Sequence, residues 1–360
     1  MLEHFILWLI ICFIIYLFYK GKNKNYQQMN VSQMNSQQRK EFITSFSLSN
    51  CKHGNQGYKR VLLQLFGLLG NGKSSFINSC KFVLDGVYRQ HAEARATDGG
   101  CTTRRVPYKL TDAIMMVDNR GCPTLSKYES GEILAQLEVT QTPSHYTFPG
   151  NLLPLSEEVE WCEDFAKNID RLMDESKNPN YTDFIFPIYV HSVKNTIPKQ
   201  EIEMYKELLN MARVLTGITP IIVLTHKSHG GLTAMRTTFQ DMGFDKIFTI
   251  ENYTENDHQR ILGKHEEIQK LLCQVLKNVD FCMEKERNRE HERGERMKFV
   301  IKYIKDADDE KKKREYEEKM ESLGNLRPHL LYRQFQAADR HEGSNRKGTV
   351  VGDESTCAIM

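Results

Sequence analysis

VLLQLFGLLGNGKSSFINSCKFVL, residues 61–84, holds an apolar run, a glycine-rich octet and an amphipathic stretch in that order. The octet, Gly67, Leu68, Leu69, Gly70, Asn71, Gly72, Lys73 and Ser74, matches G-x-x-x-x-G-K-[ST], with a strand pattern before it and a helix pattern after it. This order of elements predicts a loop that binds phosphate. Glycines let backbone N–H groups wrap a β-phosphate at a helix N-terminus, and the compact ammonium of Lys73 reaches the β/γ oxygens. Ser74 is the expected Mg²⁺ ligand, Ser75 continues the nucleotide-binding stretch, and Lys73 is also a candidate catalytic group.

Working outward, residues 114–118 (IMMVD) read as an apolar strand ending in a carboxylate, followed by Asn119, Arg120 and Gly121. In this D-x-x-G pattern Asp118 is placed to hold the Mg²⁺ shell through water, and Gly121 to bring a backbone N–H to the γ-phosphate. Between the two motifs the segment 98–103 offers Thr102 and Thr103, either of which can complete Mg²⁺ coordination; Thr103 is the candidate for both the metal and the catalytic role. The base-reading end is expected at Thr225, His226, Lys227 and Ser228, after the apolar run 221–224. Guanine-specific proteins usually carry [NT]-K-x-D there. Ser228 stands where an aspartate would accept two hydrogen bonds from the guanine edge. His226 or Lys227 can cover a purine face, and Glu251, Asn252 and Tyr253 can supply a backbone or side-chain contact to the base.

Apolar runs at 61–66, 113–117, 184–190, 221–224 and 247–250 alternate with amphipathic stretches at 74–84, 201–215 and 257–279. The pattern predicts an α/β fold, a doubly wound, mostly parallel sheet, with 106–110 pairing antiparallel beside 113–117 through a tight turn at Thr111 and Asp112. The expected organisation is a membrane anchor at 1–19, a flexible linker at 20–59, a P-loop domain at 60–283, a charged helical arm at 284–327 and a disordered tail at 328–360. The linker reading rests on a composition rich in Asn, Gln, Ser and Lys without a sustained apolar period. The arm carries charges of both signs with one apolar patch at Phe299, Val300, Tyr303 and Ile304, and is a candidate surface for self-association or an effector.

The ends point to a membrane. Residues 5–19 hold no charge, and as a helix would span about 22 Å against roughly 30 Å of hydrocarbon, a gap that snorkelling Lys20 and Lys22 and local thinning can close. Lys20, Lys22 and Lys24 follow the run, which leaves the remaining chain on the cytosolic side. The organelle stays open, the endoplasmic reticulum being compatible. The last four residues, Cys357, Ala358, Ile359 and Met360, fit C-a-a-X and predict farnesylation of Cys357. With 49 Lys+Arg against 47 Asp+Glu in 360 residues, the net charge of +2 argues against nucleic-acid binding driven by bulk charge. The nine cysteines are scattered without a C-x-x-C pair, and most read as reduced cytosolic thiols rather than a zinc site.

The residues 68–75 with the following FINS, VLTHK at 223–227 and ENY at 251–253 together resemble the translation-factor-related class of GTPases. Within it the chain is most similar to the interferon-induced protein 44 family of GTPase-like proteins, over roughly residues 60–279. The resemblance implies a G-domain fold, binding of GTP and GDP with Mg²⁺, and a role in vertebrate innate immunity, where related large GTPases can be prenylated. Cys122 and Pro123 stand where a glutamine would orient water, so a slow GTPase switch is expected. The alternatives are a non-hydrolysing pseudo-GTPase scaffold and a P-loop ATPase in which 114–118 serves as the Walker B strand.

Overall fold

The structure, a computed structural model, describes Trp8, Ile10, Ile11, Phe13 and residues 30–92, 106–119, 121–122, 125–138 and 182–322. The chain divides into two compact units, Met1–Ile304 and Lys305–Met360. Six strands form one sheet in the first unit: β1 (Arg60–Phe66), β2 (Val106–Lys109), β3 (Ile114–Asp118), β4 (Asp183–Ser192), β5 (Ile221–Thr225) and β6 (Ile247–Thr249). Their order is β2-β3-β1-β4-β5-β6, with β2 antiparallel to β3 and every other pair parallel. The result is a mixed α/β fold compatible with a P-loop-like architecture.

The central strands are buried along both faces, which is why they read as continuous apolar runs. Register between β1 and β4 is pinned where both begin: Arg60 pairs with Asp183, donating from Nε to Oδ1 at 2.6 Å and from Nη2 to Oδ2 at 3.1 Å. Seven α-helices accompany the strands: α1 (Ser36–Ser45), α2 (Lys73–Asp85), α3 (Lys127–Glu138), α4 (Ile202–Thr216), α5 (Leu232–Asp241), α6 (Leu262–Cys282) and α7 (Arg289–Ser322), among the described residues. Phe76, Ile77 and Cys80 of α2 and Leu271, Val275 and Leu276 of α6 pack on the sheet face formed by Leu63, Leu65, Phe186 and Val223. Leu134 of α3, Leu208 of α4 and Phe239 of α5 pack on the other face with Tyr189, Ile222 and Leu224. From β1 the chain lays β3 on one side and β4 on the other, so the carboxyl end of β1 is a topological switch point, the place where such sheets bind ligands.

Two expectations need correction. Residues 30–59, expected as part of a flexible linker, fold onto the sheet domain. A capping box starts α1, with Asn35 Oδ1 accepting from Gln38 N at 2.9 Å and Gln38 Oε1 accepting from Asn35 N at 2.8 Å. Val31, Met34, Phe42, Ile43, Phe46 and Leu48 are buried in the α2/α6 core, and Ser36 Oγ donates to Gln269 Oε1 of α6 at 2.8 Å. The apolar patch at 299–304 is also not a free surface. Val300 and Ile304 are buried in the same core as Leu134 of α3, and Gly131 of α3 lies alongside Tyr303 and Ile304.

In the second unit the described residues 305–322 are helical, with i,i+4 ion pairs such as Lys312–Asp308 at 3.2 Å. Among the described residues no helix is long and apolar enough to cross a membrane. Apart from Trp8, Ile10, Ile11 and Phe13, the expected anchor at 1–19 lies outside the described residues, as do Thr103, the tail from 323 onward and Cys357.

Candidate functional site

The glycine-rich octet leaves the carboxyl end of β1 and enters α2 directly, as its sequence order requires. Gly67 has φ of +142°, and a Cβ there would lie 2.3 Å from the Val190 carbonyl oxygen of β4, so only glycine lets the chain turn out of the sheet at this point. Asn71 Oδ1 ties the loop to the end of β4, accepting from Ser192 N at 3.2 Å and Asn195 Nδ2 at 2.9 Å. Thr225 Oγ1, at the end of β5, donates to Asn71 O at 2.9 Å. Asn252 Nδ2, after β6, donates to Gly72 O at 3.1 Å, and Tyr253 N donates to Ser79 Oγ of α2 at 2.8 Å. The loop is thus braced by the ends of three strands before any ligand is considered.

Lys73 folds back across the loop, its Nζ donating to Gly67 O and Leu68 O, both at 3.1 Å. The side chain is buried, and burial pushes the ammonium below the usual lysine range, with the Asp118 carboxylate acting against that shift. A buried cation held by two carbonyls, with its third N–H meeting no acceptor among the described residues, is poised to gain from an anion. Ser74 Oγ donates to Asp118 Oδ2 at 2.6 Å. A hydroxyl and a carboxylate from separate elements form a hard-oxygen pair suited to Mg²⁺. Gly121 lies against the lysine and the loop: a Cβ on it would lie 2.7 Å from Lys73 Nζ and 3.0 Å from Leu69 Cα. Leu69 N donates to Cys122 O at 3.0 Å, so the D-x-x-G segment and the glycine loop are joined backbone to backbone.

The structure therefore brings together Gly67, Leu68, Leu69, Gly70, Asn71, Gly72, Lys73, Ser74, Ser75, Asp118, Gly121, Thr225 and Asn252 at one end of the sheet. Two of the expected base-site residues take other partners. Lys227 Nζ is paired with Glu267 of α6. His226 has φ of +56°, and its Nδ1 lies 2.9 Å from Ser192 Oγ and 3.1 Å from Thr225 Oγ1. Burial pushes the His226 imidazole below its ordinary range; Lys194 adds to the shift and Glu251 opposes it.

Sequence reasoning missed two features. The Asn71 brace has no signal in the G-x-x-x-x-G-K-S pattern, where the position is unspecified. The second is a contact between Glu251 and Ser228: Glu251 Oε2 accepts from Ser228 N at 3.0 Å and from Ser228 Oγ at 2.8 Å. Both positions were candidates singly, but their pairing depends on the β5–β6 register. Among the described residues no group of three or more His, Cys, Asp and Glu side chains is placed to hold a metal ion. Compared with known proteins, the chain matches no family model and no curated sequence.

Proposed function

We propose that this chain is a membrane-tethered guanine-nucleotide-binding protein built on a P-loop G domain and working as a slow GTPase switch. The observation that supports this most is the convergence of the buried Lys73 ammonium, the Ser74–Asp118 pair and Gly121 on the first turn of α2 at the switch point of the sheet. Lys73 and the N–H groups opening α2 would take the β- and γ-phosphate oxygens, where the helix N-terminus adds favourable charge. Ser74 and Asp118 would hold Mg²⁺, with Thr103 as a further candidate, and that ion supplies charge neutralisation across the phosphate oxygens when bound. Thr225, His226, Lys227 and Asn252 mark the base side. By resemblance to the interferon-induced protein 44 family the setting is innate immunity, and the apolar run at 5–19 with Cys357 would supply the membrane attachment, the domain facing the cytosol.

A non-hydrolysing scaffold is the second reading, favoured by Cys122. Its thiol is buried and donates to Glu129 O at 3.6 Å, so it cannot orient an attacking water as a glutamine does. Single-turnover hydrolysis of radiolabelled GTP, run on the full chain and on Lys73→Ala, tests the proposal. Slow release of labelled phosphate by the wild type, lost in the variant, supports the switch; retained but uncleaved GTP supports the scaffold. ATP displacing GTP would move the reading to a P-loop ATPase, and no retention of either nucleotide would refute all three.

A further inference from the structure

The proposed site lacks the carboxylate that reads guanine in the usual place, because Ser228 occupies it. We propose that Glu251, reaching over from the end of β6, supplies that carboxylate, and that Ser228 is the positioning residue that holds it. The inference rests on the nucleotide-binding reading above and adds the residue that sets its base specificity.

Three features of the geometry carry it. First, both donors that Ser228 offers, its N–H at 3.0 Å and its hydroxyl at 2.8 Å, converge on one oxygen, Glu251 Oε2. Oε1 has no hydrogen bond among the described residues, so the carboxylate is fixed by one oxygen and keeps both lone pairs of the other available. Second, the side chain of Asn252, the neighbour of Glu251, donates from Nδ2 to Gly72 O at 3.1 Å, which ties the segment after β6 to the loop entering α2. Third, the competing cation is engaged elsewhere, since Lys227 is paired with Glu267 and does not neutralise Glu251. The glutamate side chain is one methylene longer than an aspartate. A shorter serine opposite is what lets it lie across from β6 to β5.

The chemistry selects the base. Guanine presents two adjacent donors on one edge, N1–H and the 2-amino group, which a carboxylate accepts together. Adenine presents an acceptor at N1, which would face the carboxylate lone pairs, so the same group rejects ATP. Xanthine carries an oxygen in place of the 2-amino group, and a neutral amide that donates there suits it better than a carboxylate.

The test measures equilibrium binding of GTP, ATP, xanthosine triphosphate and inorganic tripolyphosphate, each with Mg²⁺, to the full-length wild type, Glu251→Gln and Ser228→Ala. The expected result is that Glu251→Gln loses roughly 10- to 100-fold in GTP affinity, gains relative affinity for xanthosine triphosphate and keeps its tripolyphosphate affinity. Ser228→Ala should lose GTP affinity by a smaller factor, with tripolyphosphate again unchanged, because the carboxylate remains and keeps the backbone N–H of residue 228 but loses the hydroxyl, one of the two donors that fix it. Unchanged GTP affinity in Glu251→Gln, or a wild type that binds GTP and ATP alike, overturns the role of Glu251 while leaving the phosphate site standing. A wild type that binds none of the four probes, tripolyphosphate included, overturns the nucleotide reading and this inference with it.

Discussion

Replacing Gly67 with alanine should damage the fold far more than the same change three residues on. The new methyl carbon would sit 2.3 Å from the Val190 carbonyl oxygen and 3.4 Å from its carbon. Ordinary C···O contacts are no closer than about 3.3 Å, so roughly 1 Å must be found. Neither partner yields easily, because Val190 belongs to β4 and the residue before Gly67, Phe66, is in register with Tyr189 across the ladder. The φ of +142° adds strain for any residue with a Cβ. Together these terms cost about 3–5 kcal/mol, a large part of the stability of an ordinary domain. At Gly70, φ is +70° and nothing lies within 4 Å of a built Cβ, so Gly70→Ala carries only the left-handed penalty of about 1 kcal/mol. Urea unfolding followed by circular dichroism should separate the two variants by at least 2 kcal/mol. Equal losses, or a Gly67→Ala protein within about 1 kcal/mol of wild type, would refute the close approach of the loop to β4.

Further consequences follow from buried polar groups. His191 is buried on β4, and burial pushes its imidazole down from 6.5 to about 4. The unfolded chain takes up that proton at higher pH than the folded one, so stability is full above about pH 6.5 and falls as the pH drops toward 4, by about 3 kcal/mol. His191→Phe, which keeps a ring against Tyr189 and Phe239, should flatten this dependence in urea titrations between pH 7 and pH 4.5; an unaltered slope would exclude His191 as its source. Asn78 holds the segment after α2, its Oδ1 accepting from His91 N at 2.9 Å and Ala92 N at 2.8 Å and its Nδ2 donating to Ala92 O at 2.9 Å. Asn78→Ala should cost about 2–4 kcal/mol in unfolding free energy, and faster tryptic cleavage at Arg89 should accompany it. Val300→Asp puts an unpaired charge into the core beside α3 and should cost about 3 kcal/mol or more, with new cleavage sites within residues 289–304; an undisturbed digest would show that this part of α7 is not held by its apolar face.

Most of the sheet was legible because its strands are buried on both faces and the chain therefore spells them as unbroken apolar runs between turn signals. Residues 61–66, 113–117, 184–190, 221–224 and 247–250 coincide with β1, β3, β4, β5 and β6 to within a few residues, and the antiparallel hairpin through Thr111 and Asp112 is present. Residues 30–59 were not legible as folded structure. Their anchors, Val31, Met34, Phe42, Ile43, Phe46 and Leu48, are few and irregularly spaced among Asn, Gln and Ser, and what holds them is a partner more than 200 residues away in α6. The Asn35/Gln38 capping box was the local signal available there. In α7 the apolar patch that includes Val300 and Ile304 was legible, but not its burial, because that face is covered by α3 and no repeat in α7 itself says so. At the site, the local motif was readable because its chemistry requires neighbours in sequence. The Asn71 brace and the Glu251–Ser228 pair depend on strand order and register, which no local pattern states.

On the proposed function, the loop entering α2 captures a nucleoside triphosphate through its amides and the Lys73 ammonium. Calorimetric titration of GTP with Mg²⁺ into the full-length chain measures this directly. The expected result is a saturable heat with one site per chain that disappears in Lys73→Ala while the variant keeps the wild-type circular dichroism spectrum. No heat with the wild type, or an undiminished heat with Lys73→Ala, would contradict it.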